Sequence, residues 1–221
     1  MSHSLLLDAC LFDLDGTLID STPPVVRCWS ALLERHDLDP AIYLAKIHGR
    51  PAHESIRDLL SGKDEAIIEE EIRWLQHMES TDVEGIVALD GALDFIAELD
   101  RLSVPWTIVT SGSVPVAGAR IRAAGIPTPA RMITSDDITN GKPNPEPFLK
   151  GADLVGLAPE QCVVFEDAAA GITAGLAAGA QVIGITATQT AHVPAGIPAI
   201  ASYRLLSIAP SGGRFALTIA R

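Results

Sequence analysis

Five short apolar runs recur along the chain, each bounded by turn-forming residues: ACLFD (9–13), WTIVT (106–110), RMITS (131–135), CVVFE (162–166) and QVIGIT (181–186). Four of them are rich in β-branched residues, and runs this continuous suit strands covered on both faces. Between them the apolar spacing turns helical. Leu93, Ile96, Ala97 and Leu99 share one stripe, and Val116, Ala119, Ile121 and Ala123 share another that stops at Gly125. The alternation predicts a parallel sheet with helices on both sides.

Residues 18–85 interrupt that rhythm. No strand is evident there, and PPVVRCWSALLERH and KDEAIIEEEIRWLQHMES read as consecutive helices. The economical organisation is an α/β core formed by residues 1–17 and 86–221, with a helical unit at 18–85 inserted after the first strand. Pro23 and Pro24 at one junction and TDVEG at the other are its expected hinges. The acidic run Glu69–Glu71 reads as a solvated helix face. Gly171, Gly175 and Gly179 fall four apart, so on a helix they share a face suited to close packing on the sheet. At the other end, YRLLSIAPSGGRFALTIAR alternates about a Ser-Gly-Gly turn and predicts a terminal hairpin.

Composition changes this picture in three places. The chain has 221 residues, enough for a core domain with a smaller insert. Its 28 acidic and 16 basic residues leave a formal net charge of −12, a field that repels nucleic acid and anionic membrane and favours a cation partner. Cys10, Cys28 and Cys162 lack metal-ligand spacing and read as reduced core residues of a cytoplasmic protein. The first residues lack the basic and small-residue marks of a secretory signal. The uncharged stretch 168–187 is long enough to raise a membrane span, yet its Ala and Gly content fits a helix running into a buried strand.

The candidate chemistry lies where polar residues close the apolar runs. In a parallel sheet ligands bind beyond the carboxyl ends of the strands. Asp13 closes the first run, Thr110 and Ser111 the second, Glu166 and Asp167 the fourth, and Lys142 follows the third in TNGKPNPEPF. Singly, each has a plain structural explanation: a turn, a solvated lysine, a helix cap. Their succession at strand ends points to one site. Asp13 and Asp15 are two apart, so extended backbone turns both to the same side. Two close carboxylates repel unless a cation joins them. With Asp167 they offer an oxygen-only set that suits Mg²⁺. A carboxylate so placed can attack phosphorus, with Thr110, the Ser111 N–H, Lys142 and the metal ion neutralising the phosphoryl oxygens and Asp15 handling protons.

The chain resembles the haloacid-dehalogenase superfamily of phosphohydrolases over essentially its whole length. Four motifs carry the resemblance: DLDGT (13–17), VTSG (109–112), GKPNP (141–145) and VFEDAAAG (164–171). Within the superfamily it is similar to small bacterial sugar phosphatases and glycerol-phosphate phosphatases. The resemblance implies a Rossmann-like core with a small helical cap. It implies Asp13 as nucleophile, Asp15 as general acid and base, and Thr110, Ser111 and Lys142 as phosphate ligands. It implies Mg²⁺ held by Asp13, the backbone carbonyl of Asp15, Asp167 and, through water, Glu166. The cap segment IHGRPAHESI (47–56) implies His48, Arg50, His53 and Glu54 as specificity residues. Ala168 stands where many relatives have Ser.

The function expected is therefore Mg²⁺-dependent hydrolysis of a small phosphorylated sugar or polyol through an aspartyl-phosphate. The alternatives are a sugar phosphomutase and a non-catalytic binding protein on the same scaffold. Mutases of the family usually lack the motif-one Thr and carry a His on the first cap helix, where this chain has Thr17 and Val25. Asp15 also argues against a dehalogenase, which needs a single nucleophilic Asp. The partner expected is a small phosphorylated metabolite, with neither nucleic acid nor membrane, and the chain is expected to be a monomer or weak homodimer.

Overall fold

The computed structural model describes residues 3–44, 50–188 and 191–220. The chain opens with β1 (His3–Leu7) and β2 (Ala9–Phe12). Between them Asp8 accepts hydrogen bonds from Arg214 Nε at 3.0 Å and Gln161 Nε2 at 3.0 Å, which anchors the bend that sends the two strands into different sheets. Next come β3 (Ile19–Asp20), α1 (Thr22–Arg35), α2 (Pro40–Tyr43), α3 (Ala52–Leu59), α4 (Glu65–Thr81) and β4 (Val87–Ala88). The alternating part follows as α5 (Ala92–Leu102), β5 (Trp106–Ile108), α6 (Val114–Ala124), α7 (Glu146–Leu154), β6 (Cys162–Glu166), α8 (Ala169–Ala177), β7 (Gln181–Ile185) and β8 (Ala199–Ile200). The expected terminal hairpin is present as β9 (Leu206–Ser211) and β10 (Arg214–Ile219), and β1 pairs antiparallel with β10.

The main sheet has the order β5-β2-β6-β7-β8, and every pairing in it is parallel. Strand alternation builds two separate cores from it. Cys10, Phe12, Val163 and Phe165 point to one face, where Phe95 and Ile96 of α5 and Ala117 and Ile121 of α6 pack. Ala9, Leu11, Cys162 and Val164 point to the other, against Phe148 of α7 and Ile172 of α8. This is the three-layer Rossmann-like α/β core that continuous apolar strands require. All three cysteines are buried thiols outside any disulfide.

The segment RMITS departs from expectation. Instead of a strand it makes a single parallel bridge, Ile133 with Val109, through Thr110 N–H to Ile133 O at 2.9 Å and Ile133 N–H to Ile108 O at 2.9 Å. Pro127 and Pro129 lack backbone donors ahead of it. Beyond it, Thr134 caps a short turn at Ser135–Asp137 in a reciprocal box with Asp137, ending the extension. The uncharged stretch 168–187 is α8 followed by β7. Among the described residues no helix is long and apolar enough to cross a membrane. Gly175 packs α8 on Val164 and Val182 as its spacing predicts, whereas Gly179 lies past the helix end at φ +89°.

Among the described residues 22–81 no strand occurs, and α1, α3 and α4 enclose their own apolar cluster of Val25, Trp29, Leu32, Ile56, Ile68 and Leu75. The chain leaves and rejoins the core side by side, because β3 pairs antiparallel with β4. Arg27 on α1 clamps the return segment, donating to Asp82 at 2.6 and 2.8 Å and to the Glu84 carbonyl at 2.8 Å. The expected solvated face at Glu69–Glu71 needs correction. Glu71 lies on the inner stripe of α4 with Ile68, Leu75 and Glu79, and is buried. It accepts from Arg35 at 2.9 and 3.2 Å, so the charge is compensated rather than solvated.

One hydrogen bond ties the far end of the chain to the loop after β2. Buried Tyr203, in the turn before β9, donates its hydroxyl to the Thr17 carbonyl at 3.0 Å. Tyr203→Phe leaves that buried carbonyl without its donor and is expected to lower stability by about 1–2 kcal/mol, read as a lower urea midpoint. An unchanged midpoint would mean that the loop does not depend on this bond.

Candidate active site

Register brings the predicted residues together. Phe12 pairs with Ile108 on one side and Phe165 on the other, so the three strands end level with one another. The residues that follow, Asp13, Val109 and Glu166, therefore form a row across the sheet edge. Lys142 joins that row from the loop before α7. Its Nζ donates to Asp13 Oδ1 at 2.6 Å, Glu166 Oε1 at 2.8 Å and the Val109 carbonyl at 3.1 Å. An ammonium has three protons, so protein acceptors take all of them. Lys142 is 1% exposed and Glu166 0%. The two carboxylates hold the lysine charged despite its burial, and its basicity is raised accordingly.

The acidic pair is set by missing side chains as much as by present ones. Glu166 sends its other oxygen, Oε2, to the Ala168 N–H at 2.8 Å. A Cβ at Gly171, on the first turn of α8, would lie 1.6 Å from Glu166 Oε1. A Cβ at Gly16 would lie 2.1 Å from Asp167 Oδ2, and Gly16 also has φ +81°. Both glycines are thus needed for the carboxylates to stand where they do. Thr17 steadies Asp167, donating to Oδ1 at 3.3 Å.

Asp13, Glu166 and Asp167 are the acids whose oxygens converge within 4.8 Å among the described residues. Burial, and repulsion from Glu166 and Asp13, hold Asp167 well above the usual carboxylate range. Asp13 is raised too, by burial first, with Lys142 opposing and Glu166 and Asp15 adding to the shift. Three carboxylates face one ammonium, leaving excess negative charge in a dry site. Oxygen donors with uncompensated charge are the chemistry a hard divalent cation takes, so the residues fit Mg²⁺.

A cavity of about 400 Å³ opens above Asp13, between the sheet edge and the helical unit. Thr110 and Ser111 line it from the core, and the Thr110 hydroxyl accepts the Gly112 N–H at 3.0 Å, shaping the loop. Val25, Trp29, Arg50 and His53 line it from the helical unit. Arg50 is held by Asp58 at 2.8 Å. Glu54 does not line the cavity. It faces Gly141, where a Cβ would meet Pro51 at 2.5 Å and Glu54 at 2.8 Å. The expected specificity residue is thus a contact between α3 and the Lys142 loop. His48 lies outside the described residues.

Asp15 also lines the cavity, but its carboxyl turns away from the acidic row. Oδ1 accepts the Ser21 hydroxyl at 2.6 Å, and Oδ2 pairs with Arg120 of α6 at 2.9 Å. Arg120 reaches on to Glu79 of α4 at 2.9 Å. Neither Arg120 nor Glu79 was anticipated from the sequence. The available signal was an acid and a base at helical spacing with apolar neighbours, Glu79 with Leu75 and Ile68, and Arg120 with Val116 and Ala117.

Parallel strands that gather two aspartates, a buried lysine and an acidic pair beneath a cavity define an α/β enzyme whose acidic donor set fits a hard cation. The chain belongs to the haloacid dehalogenase-like hydrolases, whose family pattern matches residues 7–179. It is 51% identical over 177 residues to hexitol phosphatase A of Escherichia coli strain K12, covering 80% of this chain and 82% of that one. It is 34% identical over 197 residues to glycerol-1-phosphate phosphohydrolase 2 of Saccharomyces cerevisiae, covering 84% and 77% respectively. Among solved structures, CbbY from Rhodobacter sphaeroides in complex with phosphate superposes with a TM-score of 0.77 at 25% identity, covering 89% of this chain and 95% of that one.

Two helical glycines, buried Gly171 and half-buried Gly118, separate site geometry from helix propensity. Gly118→Ala meets only the far end of the Arg122 side chain, at 3.2 Å, and should gain up to about 1 kcal/mol from propensity. Gly171→Ala must displace Glu166 and break the Lys142 pairing, with an expected loss of about 3–5 kcal/mol. Denaturant midpoints of the two variants check this. Equal shifts of the same sign would remove the claim that Gly171 exists to admit Glu166.

Proposed function

We propose that this chain is a phosphoric monoester hydrolase acting on a small phosphorylated polyol or sugar, with the helical unit at 18–85 serving as its cap. The observation that carries the reading is the placement of Asp13. Its carboxylate lines the cavity, charge-paired to Lys142, with Asp15, Thr110 and Ser111 lining the same cavity from the core. The names of the relatives support the substrate class: one acts on hexitol phosphates and another on glycerol-1-phosphate.

In the first half-reaction an Asp13 oxygen forms a bond to phosphorus as the bond to the sugar oxygen breaks. Asp15 gives its proton to the departing alkoxide. In the second, Asp15 takes a proton from water as the water oxygen bonds to phosphorus and the Asp13–phosphorus bond breaks. The products are the free alcohol and inorganic phosphate, and both aspartates return to their starting states. Thr110 and the Ser111 N–H orient the phosphoryl oxygens. Lys142 neutralises charge on Asp13 and on the phosphoryl group without leaving its protein acceptors. Asp13, Asp167 and the backbone carbonyl of Asp15, with Glu166 behind them, would hold Mg²⁺, which when bound supplies positive charge to the phosphoryl oxygens. Arg50 and His53, on the cap wall of the cavity, read the hydroxylated end of the substrate, while Trp29 and Val25 exclude water.

A panel of hexitol, glycerol, aldose and nucleotide phosphates tests the reading. Free phosphate is expected from polyol or sugar phosphates with Mg²⁺, with loss of turnover on chelation. Asp13→Asn is expected to lower kcat by about three orders of magnitude or more. An isomeric sugar phosphate as product would identify a mutase instead, and undiminished activity in Asp13→Asn or without divalent metal would overturn the mechanism.

A further inference from the structure

We infer that Glu69 and Arg57 make the helical wall of the cavity selective for an uncharged, hydroxylated tail and against a second anionic group, an inference that rests on the proposed phosphatase reading. That reading seats the phosphoryl group at the core side, by Asp13, Thr110 and Ser111, so the rest of the substrate meets the helical wall. Among the described residues, the arginines that line the cavity are Arg50, Arg57 and Arg120, and no lysine lines it. Each arginine is held by two carboxylates. Arg50 pairs with Asp58 at 2.8 Å and stands 3.7 Å from Glu54. Arg57, on α3, gives one terminal nitrogen to Glu65 and the other to Glu69, both on α4. Arg120 holds Asp15 and Glu79 at 2.9 Å each. Every guanidinium is therefore outnumbered two to one, and with its acids ionised each cluster carries one excess negative charge.

A tail that ends in a phosphate or carboxylate brings acceptors and negative charge. To reach a guanidinium here it must displace a carboxylate already in place, and it meets the surplus charge of the wall in a cleft that focuses that field. A hydroxyl donates as well as accepts, so a carboxylate with one oxygen on an arginine can still take a hydroxyl proton on its remaining lone pairs. Glu69 is the acid of α4 placed for this. It lies on one helical stripe with Ile72, Gln76 and Glu79, and all four line the cavity. Glu79 is buried against Arg120, and Gln76 donates to Ser113 Oγ at 2.9 Å. Glu69 is only half-buried, and its partner Arg57 lines the same wall. The Glu69 carboxylate thus accepts from the hydroxyls of the tail and keeps Arg57 from serving as an anion clamp.

Substrates that differ only in the tail test the inference: a hexitol monophosphate, the hexitol phosphorylated at both ends, and the phosphorylated aldonic acid of the same length, with released phosphate as the readout. The unsubstituted enzyme is expected to favour the monophosphate over either anionic partner by about thirtyfold or more in kcat/KM, and the gap should narrow as ionic strength rises. Glu69→Gln removes one charge and frees one Arg57 nitrogen. It should narrow the ratio by about tenfold, through a lower KM for the anionic substrates. Ile72→Lys puts an unpaired ammonium on the same stripe without touching the Arg57 pairs, should narrow the ratio as well, and serves where Glu69→Gln fails to fold. A general loss of folded enzyme would leave the ratio where it is. Equal kcat/KM for the three substrates in the unsubstituted enzyme would overturn the inference. So would a ratio unmoved in Glu69→Gln or, should that variant not fold, in Ile72→Lys. Absence of phosphate release from all three substrates with Mg²⁺ would instead overturn the proposed phosphatase function.

Discussion

The buried ammonium of Lys142 is the constraint on which the rest of the site depends. Three strands end at the same level, and two of them end on acids. Without a cation at that level, Asp13 and Glu166 would be two unscreened charges at the floor of a dry sheet edge, a cost of several kcal/mol for each ion. Lys142 can reach them only because the loop before α7 passes over the sheet end, and that loop packs against Pro51 and Glu54 through Gly141. The site is thus clamped by the same glycine that lets the helical unit approach.

The ion pair also explains the backbone around it. Gly171 and Gly16 each stand where any side chain would collide with a carboxylate. The loop from Leu14 to Ile19 is closed by Leu14 O, which accepts from Leu18 N–H at 2.9 Å and Ile19 N–H at 3.1 Å, and Tyr203 pins it from below. What remains uncompensated is the charge of Asp167 together with one equivalent from the pair. That remainder makes the centre a donor set that fits an external cation, and it arises from residue placement rather than from the acidic composition of the surface.

Much of the core and most of the candidate centre were legible in the sequence because they depend on local rules. A parallel strand buried on both faces must read as a continuous apolar run, and a polar residue at its end has few places to be except the strand mouth. Asp13, Thr110, Ser111, Glu166 and Asp167 were located on that basis, and the structure brings them to one edge. RMITS reads as a strand because its composition is that of one, but prolines before it and the cap made by its own Thr134 shorten it to a single bridge. Glu71 looked solvated because charge runs usually are, yet helical phase places it with Ile68 and Leu75. Glu54 is a candidate specificity residue by its segment, and the structure sets its side chain close to Gly141.

Arg120 and Glu79 illustrate a different limit. Neither lies at a strand end, and each sits on a helix stripe whose other members are apolar, so each reads as an exception to its own element. Their meaning arises only when α4 and α6, 41 residues apart at these positions, are packed together. A buried charge on either helix alone would be destabilising by several kcal/mol, and the pair together is at best near neutral compared with well-packed apolar residues. Stability therefore gives no reason to place an arginine there. What the network does do is join α4 and α6 to the Asp15 carboxyl. The uncapped start of α1 supports the same argument: Ser21 forgoes a bond that would stabilise its own helix in order to hold Asp15. Two local stabilities are given up at the two junctions of one insert, and both converge on the same side chain.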